Sequence, residues 1–403
     1  MTVRAAFDLT RVDDGFIRNP YTTYRKLRDL SEPCRQPDGS YFVARYEDVS
    51  AMLSDHENFS SDKTIDFKPK FGDTPLYEHH TTSLVFNDPP YHTRVRRLLT
   101  PFFTPRTLRA VEPGLDVMID RVLDRAEASG SLDLVKDFAV EIPLALIGDL
   151  LGAPKDEREP LRNWANVILG ALDPVQSDEQ LAIANQAVDD FKDYLRELIV
   201  WKRGRLAERE EADVLSALLA DHDTADGLTE TELMHNCIFL LNAGHDTTAT
   251  LISNGMDLLF RFPDQMARLR AEPKLMKTAI EEMLRYESPL QMGNRRAAVD
   301  VTVLGHDYAA GTFFHIGIGA ANHDERVFPD PEIFDIARRP NRHLAFGNGI
   351  HTCAGNSLSR MEATLAFSKL LDRFKTIEQT GPTIRPPRTR FRIVSEMPVR
   401  VAA

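Results

Sequence analysis

Apolar residues recur at three-to-four spacing over Leu108 to Ala128, Leu181 to Arg209, Thr229 to Phe262, Lys274 to Glu287 and Ala354 to Phe374, which predicts amphipathic or buried helices. Strand-like patterning is sparser and is confined to Tyr41 to Arg45, Val299 to Gly305, Thr312 to Ile316 and Arg390 to Val394. The chain therefore reads as mainly α with a minor β region. Helices and strands do not alternate in the Rossmann manner and no G-x-G-x-x-G turn follows a strand, which argues against a bound nicotinamide or flavin. No internal repeat is visible.

Two stretches depart from what stability alone would select. The helix predicted from Thr229 opens with T-E-T-E, a capping box, and meets no proline before Pro263, a length of about 50 Å. In its middle AGHDTT, Ala243 to Thr248, places Gly244, an acid and two β-branched alcohols among apolar turns. Such side chains compete for backbone hydrogen bonds, so a local opening or bend is expected there. The second stretch is FGNGIHTCAG, Phe346 to Gly355. Gly347 and Gly349 permit conformations that side chains forbid, and the helical pattern resumes directly after Cys353. Cys353 is thus expected at a helix N-terminus, where amide N–H groups favour thiolate over thiol. No second cysteine lies nearby to complete a zinc site, and His351 is poorly placed as a base for a nucleophile. Spacing leaves open an inert small residue and a haem-iron ligand.

Composition narrows the setting. The 403 residues contain no Gly/Ser tract, Pro-rich linker or charge block, so one catalytic domain spanning residues 1–403 is expected. Its 49 basic and 61 acidic residues, a net charge of −12, argue against nucleic acid or an anionic membrane as the main partner. The opening MTVRAAFDLTRVDDG has no apolar leader segment, and no apolar run is long enough to span a bilayer. Cys34, Cys237 and Cys353 are too few for a disulfide framework, as in a reducing cytosol, and a soluble cytoplasmic protein is expected.

FGNGIHTCAG resembles the cysteine-ligand signature of the cytochromes P450, F-G-x-G-x-H-x-C-x-G, at every defined position, and AGHDTT resembles that family's A-G-x-[DE]-T-T oxygen-activation motif. Glu282 and Arg285 match the E-x-x-R pair, with Arg338 as the arginine that completes their triad. His92 and Arg96 match H-x-x-x-R, and Arg295 matches R-x-A-x-x-D. The motifs run in family order over nearly the whole chain.

The resemblance implies the triangular helical prism of that family around one buried haem b, with a minor β region drawn from the N-terminal part, residues 299–316 and residues 390–401. It implies Cys353 as axial ligand to the haem iron and His92, Arg96, Arg295 and His351 as propionate contacts. Phe346 and Gly355 would shape the sulfur side, while Ala243 and Gly244 would leave room for oxygen. Asp246 and Thr247 would be the catalytic proton-delivery pair. Glu282, Arg285 and Arg338 would be structural. Phe239, Asn242, Leu290, Met292 and Ile393 would line a pocket for a small, hydrophobic organic substrate, with the Asn242 amide meeting a polar group on it. The segment between Ser61 and Asn87, the region around Ile168 to Leu172, Leu290 to Met292 and Arg392 to Val394 would contribute to the same pocket. The implied activity is monooxygenation with O2, using electrons from a separate ferredoxin served by an NAD(P)H-dependent reductase. A peroxide-driven or coupling enzyme and a haem-thiolate sensor or carrier are the alternatives. Arg94, Arg97, Arg106, Arg109, Arg339, Arg342, His343 and Arg360 would form the ferredoxin-docking surface.

Overall fold

A computed structural model describes residues 7–204, 213–220 and 227–403 of the chain. The helices that position the site are α1 (Pro75–Thr82), α2 (Tyr91–Leu99), α3 (Pro105–Ser129), α4 (Glu141–Leu151), α5 (Asp178–Arg203), α6 (Glu230–Arg261), α7 (Met276–Tyr286) and α8 (Asn356–Arg373). Short strands are β1 (Cys34–Arg35), β2 (Tyr41–Val43), β3 (Phe59–Ser60), β4 (Ser131–Asp133) and β5 (Gly293–Ala297). They continue with β6 (Val301–Val303), β7 (His306–Tyr308), β8 (Phe313–Ile316), β9 (Thr376–Gln379) and β10 (Pro398–Ala402). Residue contacts separate two compact units: one contains Met1–Ser60, Ile119–Ala139 and Thr247–Ala403, the other Ser61–Met118 and Val140–Asp246.

The first unit carries the β structure. Its larger sheet has the order β1-β2-β8-β5-β3, with β2 parallel to β8 and the other pairs antiparallel. In β8 Phe314 and Ile316 are fully buried while Phe313 and His315 are partly exposed, the period-two pattern of a strand with one face on a core. That core gathers Val43, Val49, Met52, Phe59, Phe314 and Ile316, and the Phe314 ring meets Phe59 and Tyr308 edge-on at 6.1 and 5.3 Å. The expected Val299 to Gly305 strand shrinks to β6, because the chain reverses through Leu304 and Gly305 at φ 51° and 77° and pairs with β7. Arg390 to Val394 forms no strand and contributes one bridge, Phe391 with Leu290. Pairing is confined to that bridge, with Arg392 N on Pro289 O and Gln291 N on Arg390 O, both at 2.8 Å, while the buried Arg392 guanidinium takes Glu287 at 2.7 Å and the carbonyls of Ile17 and Arg18. The C-terminal strand lies later, at β10 between β4 and β9.

In the same unit α8 buries Leu358, Ala363, Ala366, Phe367 and Leu370. A Cβ on Gly255 would lie 2.5 Å from Phe367 Cζ and 2.7 Å from Met283 Sδ, so glycine here permits close approach of α6, α7 and α8. The second unit is helical. Its α5 begins with a full capping box, in which Ser177 Oγ accepts from Gln180 N and Gln180 Oε1 accepts from Ser177 N. The helix expected over Leu181 to Arg209 starts earlier, at Asp178, and residues 205–209 lie outside those described. Thr229 and Glu232 exchange the reciprocal bonds of a capping box at the start of α6, at 3.2 and 2.8 Å.

From Glu230 to Arg261, α6 is unbroken, so the expected opening at AGHDTT is absent. Two of the side chains that would compete with the backbone are engaged laterally: Asp246 Oδ1 with His245 Nδ1 at 2.6 Å, and Thr248 Oγ1 with Ser359 Oγ at 3.1 Å. Among the described residues, no helix is long and apolar enough to cross a membrane.

Candidate functional site

In the first unit the cysteine loop is folded by its glycines. Gly347 and Gly349 adopt φ 70° and 71°, and the turn is closed by Gly347 N to Leu344 O at 2.8 Å, Thr352 N to Gly349 O at 3.1 Å and Cys353 N to Phe346 O at 2.9 Å. At Gly349 a Cβ would sit 2.7 Å from the backbone oxygen of Leu53, so no other residue fits without moving main chain. Cys353 emerges half-buried from this loop. It is not the first residue of the helix, as the periodicity suggested: α8 begins at Asn356 with Gly355 as its N-cap, and Asn356 Nδ2 donates to the Cys353 carbonyl at 2.6 Å. His351 ends a short 3₁₀ turn over Gly349–His351 and is partly exposed.

Phe346 is held against the Arg360 guanidinium, 4.5 Å from its ring centre. Arg360 and His343 both donate to Glu281, at 2.6 to 3.0 Å. Burial alone would raise the Glu281 carboxyl, but these hydrogen bonds and charges hold it down at about 2. Arg360 and His343 of the expected docking set are thus both paired with Glu281, Arg360 with 36% of its side chain still exposed. Beneath the loop, Glu282 and Arg285, neither with any exposed side-chain surface, form a two-pronged pair at 2.8 Å. Arg338 Nε joins at 3.0 Å, and Asn341 Nδ2 and the Asp335 amide also donate to Glu282 at 3.0 and 3.1 Å. Arg295 lies on β5 opposite Phe314, partly exposed, with Nη1 on the Asn294 carbonyl at 2.8 Å.

Within the second unit His92 and Arg96 sit four residues apart on α2, hence on one face, with His92 buried. Arg94 on the same helix, another member of the expected docking set, is ion-paired with Glu232 and donates to Gly227 O at 3.0 Å. The accessibility of α6 is selective. From Leu233 to Leu259 every residue is buried except Phe239, Ala243, Gly244 and Thr247, a strip on one side of the helix lined mostly by small groups. Beside the strip, Asn242 Oδ1 and Asp246 Oδ2 are buried without a hydrogen-bond partner among the described residues. Gly244 has a packing role as well, since a Cβ there would meet Ile147 Cδ1 of α4 at 3.1 Å.

Of the expected pocket residues, Phe239, Leu290 and Ile393 are partly exposed. Met292 is not: it is fully buried in a core with Phe16, Tyr24, Phe42 and Ala320. Ile168 and Leu172 are likewise buried, and Arg392 is held by Glu287. One chemically distinctive residue escaped the sequence reading. Glu362 lies on the apolar face of α8, wholly buried, and desolvation lifts its carboxyl to about 8 against the opposing effect of a Thr248 hydrogen bond. An acid in phase with Leu358, Ala366 and Leu370 was the available signal.

These features fit a thiolate-ligated haem. A flat apolar group requires a helix face with small side chains, which α6 offers, and a half-exposed thiol, which the glycine loop offers. The orphaned oxygen of Asp246 lies directly beside that strip.

Comparison with known proteins agrees. The sequence profile of the family Cytochrome P450 matches residues 35–398. The biotin biosynthesis cytochrome P450 of Bacillus subtilis (strain 168) is 35% identical over 388 residues, 95% of this chain and 96% of that protein. The cytochrome P450 monooxygenase PikC of Streptomyces venezuelae is 36% identical over 408 residues, 98% of this chain and 94% of its own. Among solved structures, P450BioI in complex with hexadec-9Z-enoic acid ligated acyl carrier protein superposes with a TM-score of 0.90 at 33% identity, covering 96% of this chain and all of that one. A cysteine loop and a long-helix motif built as described here, within a sequence similar to these proteins over nearly its full length, make this chain a member of the cytochrome P450 family, whose cofactor is haem.

Proposed function

We propose that this protein is a haem-thiolate monooxygenase that inserts one atom of O2 into a small, largely hydrophobic substrate, using two electrons from a ferredoxin-type partner and its reductase. The whole chain acts as one cytoplasmic catalytic domain, since the family motifs are distributed over both units. The observation that carries this reading is the coincidence of the accessible α6 strip with AGHDTT and with the unpartnered Asp246 Oδ2. Haem b, when bound, supplies the oxygen-activating redox chemistry.

The protein's own residues do the rest. Cys353 is the thiolate ligand, and Phe346 keeps water from its sulfur. His92, Arg96, Arg295 and His351 supply the cationic and hydrogen-bonding groups that buried propionates need. Asp246 Oδ2 and the Thr247 hydroxyl form the proton-delivery pair beside the strip, general-acid work. Phe239, Leu290 and Ile393 contact apolar parts of the substrate, and Asn242 Oδ1 receives a hydrogen bond from a polar group on it.

Two substitutions test the reading. Cys353→Ala loses the red-shifted Soret band of the reduced carbon monoxide adduct, while Cys34→Ala keeps it; survival of the band in Cys353→Ala would refute the ligand assignment. Thr247→Ala retains haem and substrate affinity but diverts reducing equivalents to peroxide. Unchanged coupling there, or full turnover with peroxide and none with the reductase chain, would favour the peroxide-driven alternative.

A further inference from the structure

Three histidines meet inside the second unit, away from the motifs above. His79 and His80 on α1 and His235 on α6 are 2%, 2% and 0% exposed. The ring centres of His79 and His235 lie 5.5 Å apart, and those of His79 and His80 lie 5.1 Å apart. Nδ1 of His79 and both ring nitrogens of His235 have no hydrogen-bond partner among the described residues. Leaving such atoms dry costs about 1 to 3 kcal/mol each, so in the working protein a ligand or water group has reason to meet them. The cluster is not a metal site, since no three metal-ligating side chains are suitably grouped among the described residues.

Its place on α6 indicates what meets it. His235, Asn242 and Asp246 fall within roughly 40° of one another around the helix, beside the accessible strip. His235 is one turn before Phe239, where the strip begins, and about 12 Å from Ala243 at 1.5 Å per residue. Glu78 of α1 faces the cluster; its Oε2 takes Lys192 of α5 at 2.7 Å and faces His235 Nε2 at 3.2 Å. Desolvation is the largest effect holding the His79 imidazole neutral, and His80, His235 and Lys192 act in the same direction, Lys192 as a nearby fixed cation. His235 is pushed down to about 4, chiefly by burial.

We propose that His79 and His235 form the docking point for the carboxylate of an amphipathic acid whose apolar body lies along the accessible strip of α6. The proposal rests on the reading of that strip as the substrate-facing side of the helix. Tautomer chemistry makes it specific. With the proton on Nε2, the nitrogen 3.2 Å from Glu78 Oε2, neutral His235 presents a lone pair at Nδ1, which a carboxylate cannot use. A carboxylate binds there when the ring takes one proton from solvent and Nδ1–H becomes a donor, giving a charge-assisted hydrogen bond. An alcohol can donate to the lone pair with no proton uptake, which separates the two chemistries.

The test uses the haem-loaded protein with tetradecanoic acid, tetradecan-1-ol and methyl tetradecanoate as probes, by calorimetry in buffers of different ionisation enthalpy and by the substrate-induced spin-state change. The acid is expected to bind at least tenfold more tightly than the alcohol or ester at pH 6, with uptake close to one proton. Its affinity should fall as pH rises from 6 to 8, by up to tenfold per unit, while alcohol and ester stay level. His79→Leu and His235→Gln should each weaken the acid about tenfold and leave the alcohol within twofold. Should His235→Gln fail to fold, Glu78→Gln, on the partly exposed side, should alter the pH dependence for the acid alone. Equal affinity for acid and alcohol, no proton uptake, or equal loss of both probes in the variants would overturn the docking point. Loss of the thiolate signature in the wild-type carbon monoxide spectrum would instead overturn the functional reading. Proton-linked acid binding without a spin-state change would keep the docking point and refute the strip as the substrate face.

Discussion

Glu282→Gln is the sharpest probe of the network beneath the cysteine loop. Oε1 of Glu282 receives Arg285 Nη2, Arg338 Nε and the Asp335 amide, and Oε2 receives Arg285 Nε and Asn341 Nδ2, all at 2.8 to 3.1 Å. Whichever oxygen becomes an NH2 group, a donor is turned on donors, and the fully buried Arg285 keeps its charge without a carboxylate. Removing one partner of a buried pair costs about 3 to 5 kcal/mol, roughly a fifth or more of the stability of an ordinary domain. Urea unfolding followed by far-ultraviolet circular dichroism, with haem content read from the reduced carbon monoxide spectrum, should show both losses together. The double variant Glu282→Leu/Arg285→Leu should lose clearly less than the sum of its single variants, because neither charge is stranded. A Glu282→Gln protein within 1 kcal/mol of wild type, with full haem content, would refute the reasoning.

Three further outcomes are expected. Because the folded-state pKa of Glu362 is raised to about 8, the folded state holds a proton that the unfolded chain releases; stability therefore falls as pH rises between its unfolded value and about 8, by up to roughly 1.4 kcal/mol per unit. Glu362→Gln should remove that decline in urea titrations at several pH values, and parallel curves would sink the assignment. Gly349→Ala should deplete the thiolate spectral species far more than Gly347→Ala: both have positive φ, but only the first adds a methyl 2.7 Å from a main-chain oxygen, whereas the second meets its nearest atom at 3.7 Å. Equal effects would show that backbone strain, not the Leu53 contact, governs the loop. Charge reversal at the exposed Arg342 should slow reduction by an acidic ferredoxin in a salt-sensitive manner, without changing substrate affinity. Stopped-flow rates indifferent to both salt and the substitution would place docking elsewhere.

Much of this protein was readable from its residues because the signals were local. Glycines at 347 and 349 announce a loop that side chains cannot follow, T-E-T-E announces a helix start, and three-to-four spacing announces the helices on either side. Resemblance to the cytochrome P450 motifs pointed to Cys353, Asp246 and Thr247, and to the Glu282, Arg285 and Arg338 set that the fold brings within hydrogen-bond distance. What stayed hidden depends on partners distant in sequence. Nothing near Arg392 says that Glu287 will pair with it in the interior, and nothing near Met292 says that Phe42 and Ala320 will enclose it. Arg94, His343 and Arg360 read as surface cations until Glu232 and Glu281 reach them. The helix through AGHDTT is unbroken, with polar side chains that find lateral partners, and the His79–His235 pair exists only where α1 meets α6. Local sequence thus determined the elements and the chemistry available to them, through backbone sterics and periodicity. Tertiary packing decided which charges are neutralised, which polar atoms are left without partners, and which face of the long helix remains open, because desolvation and Coulomb energies depend on neighbours that only the fold supplies.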